Sequence, residues 1–135
     1  MNAYKLSESL AVCGQITPGA VADIAAAGYK VLINNRPDGE ENGQPTSAEI
    51  AAAAEEAGLE YHYMPVTAMN FPGDHLQQMA DLFDDEERPA FAFCRTGTRC
   101  TNLWVLSRES AEREQAAQLA SKIGFDLSMA ARAMS

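Results

Sequence analysis

The residues best equipped for chemistry run from Phe93 through Cys94-Arg95-Thr96-Gly97-Thr98-Arg99 to Cys100. An apolar stretch from Ala90 to Phe93 precedes the cysteine, and a helical pattern follows from about Thr101 through Leu106. A strand that ends at a cysteine, a short loop of small residues and a helix start place a thiol at the mouth of a ring of backbone N–H groups. Such a ring, with the positive end of the helix dipole, binds anions and stabilises a thiolate. Cys94 is therefore the candidate nucleophile. A free thiol is mostly protonated near neutral pH, and the loop amides, the helix and Arg99 all act to lower its pKa. Arg99 offers a planar fork of donors for an oxyanion. Thr96 and Thr98 supply hydroxyls and open backbone, and Gly97 permits a positive φ where the loop reverses. Arg95 is either a second anion contact or an exposed cation at the loop tip. The chemistry implied is cysteine-dependent transfer of a phosphoryl group or of sulfur.

A second constellation follows an apolar strand pattern at Val31-Leu32-Ile33. There Arg36 and Asp38 face the same end of the sheet as Cys94. Asp38 orients Arg99 or serves as an acid in one reading; in the other, Pro37-Asp38-Gly39 is a plain turn. Cys100 has two readings as well, a thiol that resolves an oxidised or persulfidated Cys94, or a small residue buried at the helix start. Cys13 is expected in the core. Asp84-Asp85-Glu86-Glu87 reads as a solvated helix end.

These residues need a scaffold, and the pattern supplies one. Leu10 to Cys13, Val31 to Ile33, Tyr61 to Val66 and Pro89 to Cys94 are strand-like. Between them lie helical segments: one capped by Thr17 and closed by Gly28, one opened by a Thr46/Glu49 capping box and ended by Gly58, and one capped by Asp74. A helical stretch from Thr101 to about Ile123 breaks near Ser110, and a short helix follows Gly124. The run before Cys94 is uniformly apolar, as in a strand buried on both sides of a parallel sheet. The expected fold is one α/β domain over residues 1–135, with a mostly parallel sheet of about four strands and helices on both faces. Ligands of such sheets bind beyond the carboxyl ends of the strands, where Cys94 falls.

Composition narrows the partners. A net charge of -9 argues against general nucleic-acid or anionic-membrane binding. Any anion site must rest on local donors, for a small oxyanion or a phosphorylated substrate. Three cysteines and two histidines, without metal-ligand spacing, imply no metal, no disulfide framework and no cofactor. No basic stretch followed by an apolar run opens the chain, so the expected location is cytoplasmic. Oligomeric state is not encoded in any recognisable pattern.

The loop resembles those of two families. Protein tyrosine and dual-specificity phosphatases have Cys, five residues and Arg; rhodanese sulfurtransferases commonly show Cys-Arg-Ser-Gly-x-Arg, with four. The spacing of Cys94 and Arg99 matches the second. Across nearly its whole length, however, the chain resembles the phosphatase-like domain of β-lactamase-hydrolase-like proteins. The resemblance rests on Gly14-Gln15, Ile33-Asn34-Asn35-Arg36-Pro37-Asp38, Gln44-Pro45, and Cys94 to Arg99 running into Asn102-Leu103-Trp104. It implies a phosphotyrosine-phosphatase-like fold and a cysteine phosphatase, with a rhodanese-type sulfurtransferase and a non-enzymatic oxyanion-binding module as the other readings. Phosphatases of this kind place a histidine before the cysteine, where Phe93 stands. They also carry an aspartate acid in a loop that here reads Val66-Thr67-Ala68-Met69-Asn70-Phe71, without a carboxylate.

Overall fold

In the computed structural model, which describes residues 2–134, five strands form one sheet. They are β1 (Tyr4–Ser7), β2 (Leu10–Cys13), β3 (Val31–Asn34), β4 (Glu60–Tyr63) and β5 (Ala90–Phe93), in the order β1-β2-β5-β3-β4. Only β1 runs antiparallel. The central strand is β5, and its residues alternate cleanly. Ala90 and Ala92 face one hydrophobic layer with Val12, Ile33, Phe83 and Leu103. Phe91 and Phe93 face the other, with Ile16, Ile24, Leu32 and Ile50. Two faces, each buried under helices, explain why β5 carries no polar residue.

The helices are α1 (Val21–Ala26), α2 (Ser47–Ala57), α3 (Leu76–Asp84), α4 (Thr98–Leu106), α5 (Ser110–Ile123) and α6 (Ser128–Met134). The first and second cover the Phe91/Phe93 face; the third and fourth cover the other. Thr46 and Glu49 form the expected capping box, and Gly58 closes α2 in the left-handed conformation at φ 79°. Burying one leucine-sized side chain in such a layer is worth about 1.5–3 kcal/mol, so the sheet and its helices hold the loop ends firmly.

Several details differ from the sequence expectation. Thr17 caps a short 3-10 turn, Pro18–Ala20, and not α1 itself, and the third expected strand, β4, ends at Tyr63, short of Val66. The sheet has a fifth strand, β1, whose only core-facing residue is Leu6, too little apolar signal to mark a strand. The cap of α3 is His75, with no side-chain bond, and not Asp74. The helix after the cysteine starts at Thr98 and not at Thr101, because Gly97, at φ 89°, turns the chain straight into it. Arg99 and Cys100 thus lie in the first helical turn. Asn102 is fully buried there: its amide donates to the carbonyls of Thr98 and Asp126, both at 2.8 Å, and its side-chain oxygen accepts from the Ala130 N–H at 3.0 Å. This one side chain fastens the start of α4 to α6.

Candidate active site

Parallel pairing positions the cysteine. Cys13 and Asn34 end their strands opposite Phe93, and the chain continues in register beyond it. The Cys94 N–H donates to the Cys13 carbonyl at 3.3 Å, and the Asn35 N–H to the Phe93 carbonyl at 2.9 Å. Cys94 therefore sits just past the carboxyl end of the central strand, at the N-terminus of α4. The loop is packed hard against β2: the Gln15 N–H donates to the Arg95 carbonyl at 3.2 Å. A Cβ on Gly14 would lie 2.9 Å from that oxygen, a backbone atom with no freedom to swing away. Gly14→Ala is expected to displace the loop and cost about 1–3 kcal/mol, read as a lower denaturation midpoint with an unchanged m-value.

Cys94 is 1% exposed, and its sulfur accepts the Gly97 N–H at 3.1 Å. Its pKa falls to about 6. The chief cause is the Cys100 thiol bonded to it; burial opposes the shift, while the N–H groups of Cys100 and Thr96 and the charge of Arg99 reinforce it. The donor itself pays no such benefit: burial, then the neighbouring thiolate, push the Cys100 thiol well up. Cys13, buried and facing the same charge, rises to about 12. Of the three thiols only Cys94 is ionised near neutral pH. A group with a lowered pKa is charged above it and protonated below it, so Cys94-dependent activity should rise with pH through about 6 and then level. Cys100→Ala removes the main donor and moves that rise to higher pH, whereas Cys100→Ser, which keeps a donor, moves it less. Ultraviolet absorbance of the thiolate against pH reads the same midpoint without substrate.

Arg99 is held by a carboxylate other than the one expected. Its two terminal nitrogens donate to the two oxygens of Glu40 at 2.8 and 2.7 Å, and Nη1 donates also to the Val66 carbonyl at 2.9 Å. Glu40 in turn accepts from Arg36 Nε at 2.9 Å. Arg36 is 1% exposed, with its remaining nitrogens on Gln15 and Glu41 at 3.0 and 3.3 Å. It reaches the anion site through Glu40 and not by direct contact. Asp38 is not among the hydrogen-bond partners of Arg99. Its carboxylate accepts the Ser47 N–H at 2.7 Å, anchoring the turn to the start of α2, and its own N–H donates to the Tyr63 hydroxyl at 2.9 Å. Glu40 was hidden in sequence among exposed acids; its one signal is the spacing of four from Arg36 inside a loop that follows a strand.

The rest of the loop lies as its residue types suggest. Arg95 and Thr96 are exposed at the tip, the Thr96 hydroxyl donates to that of Thr98 at 2.9 Å, and a Cβ on Gly97 would press on the Cys13 carbonyl at 3.4 Å. The segment after β4 turns on Asn70, whose side chain accepts from the Thr67 N–H at 2.7 Å, and residues 66–71 carry no carboxylate. Among the described residues no cluster of His, Cys, Asp and Glu suits a metal ion, and no helix is long and apolar enough to cross a membrane.

A cysteine on an N–H-lined loop, at the carboxyl end of the central strand of this sheet, belongs to the phosphotyrosine-phosphatase-like class of fold. Tk-PTP in its active form superposes with a TM-score of 0.74 over 98% of this chain and 92% of its own, at 15% identity. TpbA of P. aeruginosa, in complex with pTyr, gives 0.68 over 97% and 81%, also at 15% identity. A protein of Neisseria meningitidis, provisionally named a phosphatase, is nearer in sequence: 37% identity over 87% of each chain, with a TM-score of 0.70. The chain belongs to the family of the β-lactamase hydrolase-like protein, phosphatase-like domain, whose model matches residues 3–111. β-Lactamase hydrolase-like proteins of Agrobacterium fabrum and Xylella fastidiosa are 34% and 33% identical over 98% and 96% of it. In each, the matched part is 31% of the relative's length, so the chain spans about a third of the curated relatives it matches.

Proposed function

We propose that this domain is a cysteine-dependent phosphatase acting on phosphomonoesters with good leaving groups. The observation that supports it most is the Cys94 sulfur at the start of α4, which accepts the Gly97 N–H and feels the charge of Arg99, on a phosphatase-like scaffold. Cys94 attacks phosphorus, an S–P bond forms, and the ester P–O bond breaks with its electron pair leaving on the alcohol oxygen. Water then attacks phosphorus, the S–P bond breaks and phosphate departs with the thiolate restored. Arg99 and the loop amides hold the equatorial oxygens as charge grows on them. Residues 66–71 carry no carboxylate to protonate the leaving oxygen, which costs alkyl esters about 10²- to 10⁴-fold and favours leaving groups that depart as anions. The three free cysteines suit a reducing, cytoplasmic setting.

A second reading has its own support. The loop encloses four residues between Cys94 and Arg99, a tight ring for a tetrahedral phosphate, and the Cys100 thiol abuts the nucleophile. As a sulfurtransferase, Cys94 takes the sulfane sulfur of thiosulfate as a persulfide, releasing sulfite, and cyanide removes it as thiocyanate. Assays of an aryl phosphate and of thiosulfate with cyanide, each beside Cys94→Ser, separate the two. Vanadate-sensitive phosphate release that the variant lacks supports the first reading; thiocyanate production with a persulfide on Cys94 overturns it in favour of the second.

A further inference from the structure

The turn that carries Glu40 leaves β3 and returns to α2, and it is fastened from the neighbouring edge strand. Tyr61 and Tyr63 alternate along β4 and so share one face of the sheet, where Tyr61 packs into the layer covered by α2. Both hydroxyls are used on this turn. That of Tyr63 accepts the Asp38 N–H at 2.9 Å. The Asp38 carboxylate accepts the Ser47 N–H at 2.7 Å, and the Ser47 hydroxyl bonds that of Tyr61 at 2.7 Å. Asn34 completes the chain of bonds: its amide donates to the Tyr61 oxygen at 3.0 Å, and its side-chain oxygen accepts the Arg36 N–H at 2.9 Å. The Gln44 amide ties the far limb of the turn to the Pro37 carbonyl at 2.9 Å.

Only Gly39, at φ 78°, separates Asp38 from Glu40. Glycine resists torsion least of all residues, so the pin at Asp38 decides where the Glu40 carboxylate lands. That carboxylate takes the end-on pair of Arg99 nitrogens, and Nη1 also serves the Val66 carbonyl. What Arg99 keeps for an oxyanion is its side-on edge, Nε and the second Nη2 hydrogen, a planar fork that works only at the right tilt.

We infer that Asp38 and Tyr63 are positioning residues of the Cys94 centre, acting through Glu40 to fix the plane of the Arg99 guanidinium and the fork it offers an oxyanion. The inference rests on the oxyanion site of the phosphatase reading. It gives Asp38 a part in that site without contact with Arg99.

Calorimetric titration of the Cys94→Ser protein with inorganic phosphate tests it without turnover, beside thermal melts of every variant. In that background Asp38→Ala should weaken phosphate about fivefold and Tyr63→Phe about threefold. Asp38→Asn, which keeps an oxygen for the Ser47 N–H, should stay within about twofold of its parent. Repeated with Glu40→Ala also present, Asp38→Ala and Tyr63→Phe should leave phosphate affinity unchanged, because the group through which they act is gone. A lower melting point with phosphate affinity untouched, or equal losses with and without Glu40, would overturn the inference and leave the phosphatase reading standing. No phosphate binding by the folded Cys94→Ser protein would overturn both.

Discussion

Cys94→Ser is expected to lower aryl-phosphate turnover by at least about 10³-fold while the protein folds and binds phosphate as before or more tightly. The size follows from ionisation. With a pKa near 6, the wild-type sulfur is largely thiolate at neutral pH, the form that attacks. A serine hydroxyl stays protonated, and the side chains that lower the Cys94 pKa offer it no base: Arg99 is a cation, and Cys100 is a thiol whose own pKa is raised. Binding should survive because its donors are elsewhere, in the loop amides and Arg99. Above pH 6 the thiolate repels a bound phosphate, so its removal strengthens the anion site. Steady-state kinetics and phosphate titration on the two proteins check both halves. Turnover retained in Cys94→Ser would sink the nucleophile assignment. Turnover lost together with phosphate binding would mean that the substitution had collapsed the loop.

The parts legible in the sequence are those that depend on neighbours along the chain. Cys94 to Arg99 belong to one strand–loop–helix unit, so residue types alone marked the candidate nucleophile, the arginine and the reversal at Gly97. The capping box at Thr46 and the glycine stop at Gly58 are equally local. Gly97 also carried an unused clue, since a glycine with positive φ just before a helix brings Arg99 and Cys100 into its first turn. What escaped needs the third dimension. Glu40 lies 59 positions before Arg99 and becomes its partner only because β3 pairs beside β5. Asp38 drew attention by its turn, and the turn is real, but its carboxylate caps α2 through Ser47. A loop leaving the carboxyl end of the sheet carried three acids, and only a spacing of four from Arg36 set apart the one that holds both arginines.

That acid has the second-largest predicted effect. One oxygen of Glu40 accepts from Arg36 at 2.9 Å and from Arg99 at 2.7 Å, so a single carboxylate joins the buried cation to the one beside the cysteine loop. In Glu40→Ala, Arg36 remains buried with only Glu41, 57% exposed, and Gln15 to answer its charge. Breaking a fully buried pair costs about 3–5 kcal/mol; with Glu40 27% exposed, about 2 kcal/mol is expected, a melting point lower by about 5–10 °C. Activity should suffer separately. Arg99 keeps the Val66 carbonyl but loses the end-on clamp, and a misplaced guanidinium should lower kcat/KM of aryl phosphates by about 10- to 100-fold. Glu40→Gln keeps one acceptor oxygen and should recover part of both losses. Acid melts distinguish a charge effect from a packing effect. Hydrogen bonding from Arg99, opposed by burial and aided by Arg36, holds the Glu40 carboxyl below its ordinary range. Its contribution is complete above the carboxyl's unfolded pKa and fades as pH falls through the lowered folded value. The stability gap between wild type and Glu40→Gln should therefore persist through mildly acidic pH and close only below the ordinary carboxylate range. A gap that stays constant down to that pH and beyond would assign Glu40 a packing role and leave Arg99 to be held by Val66 alone.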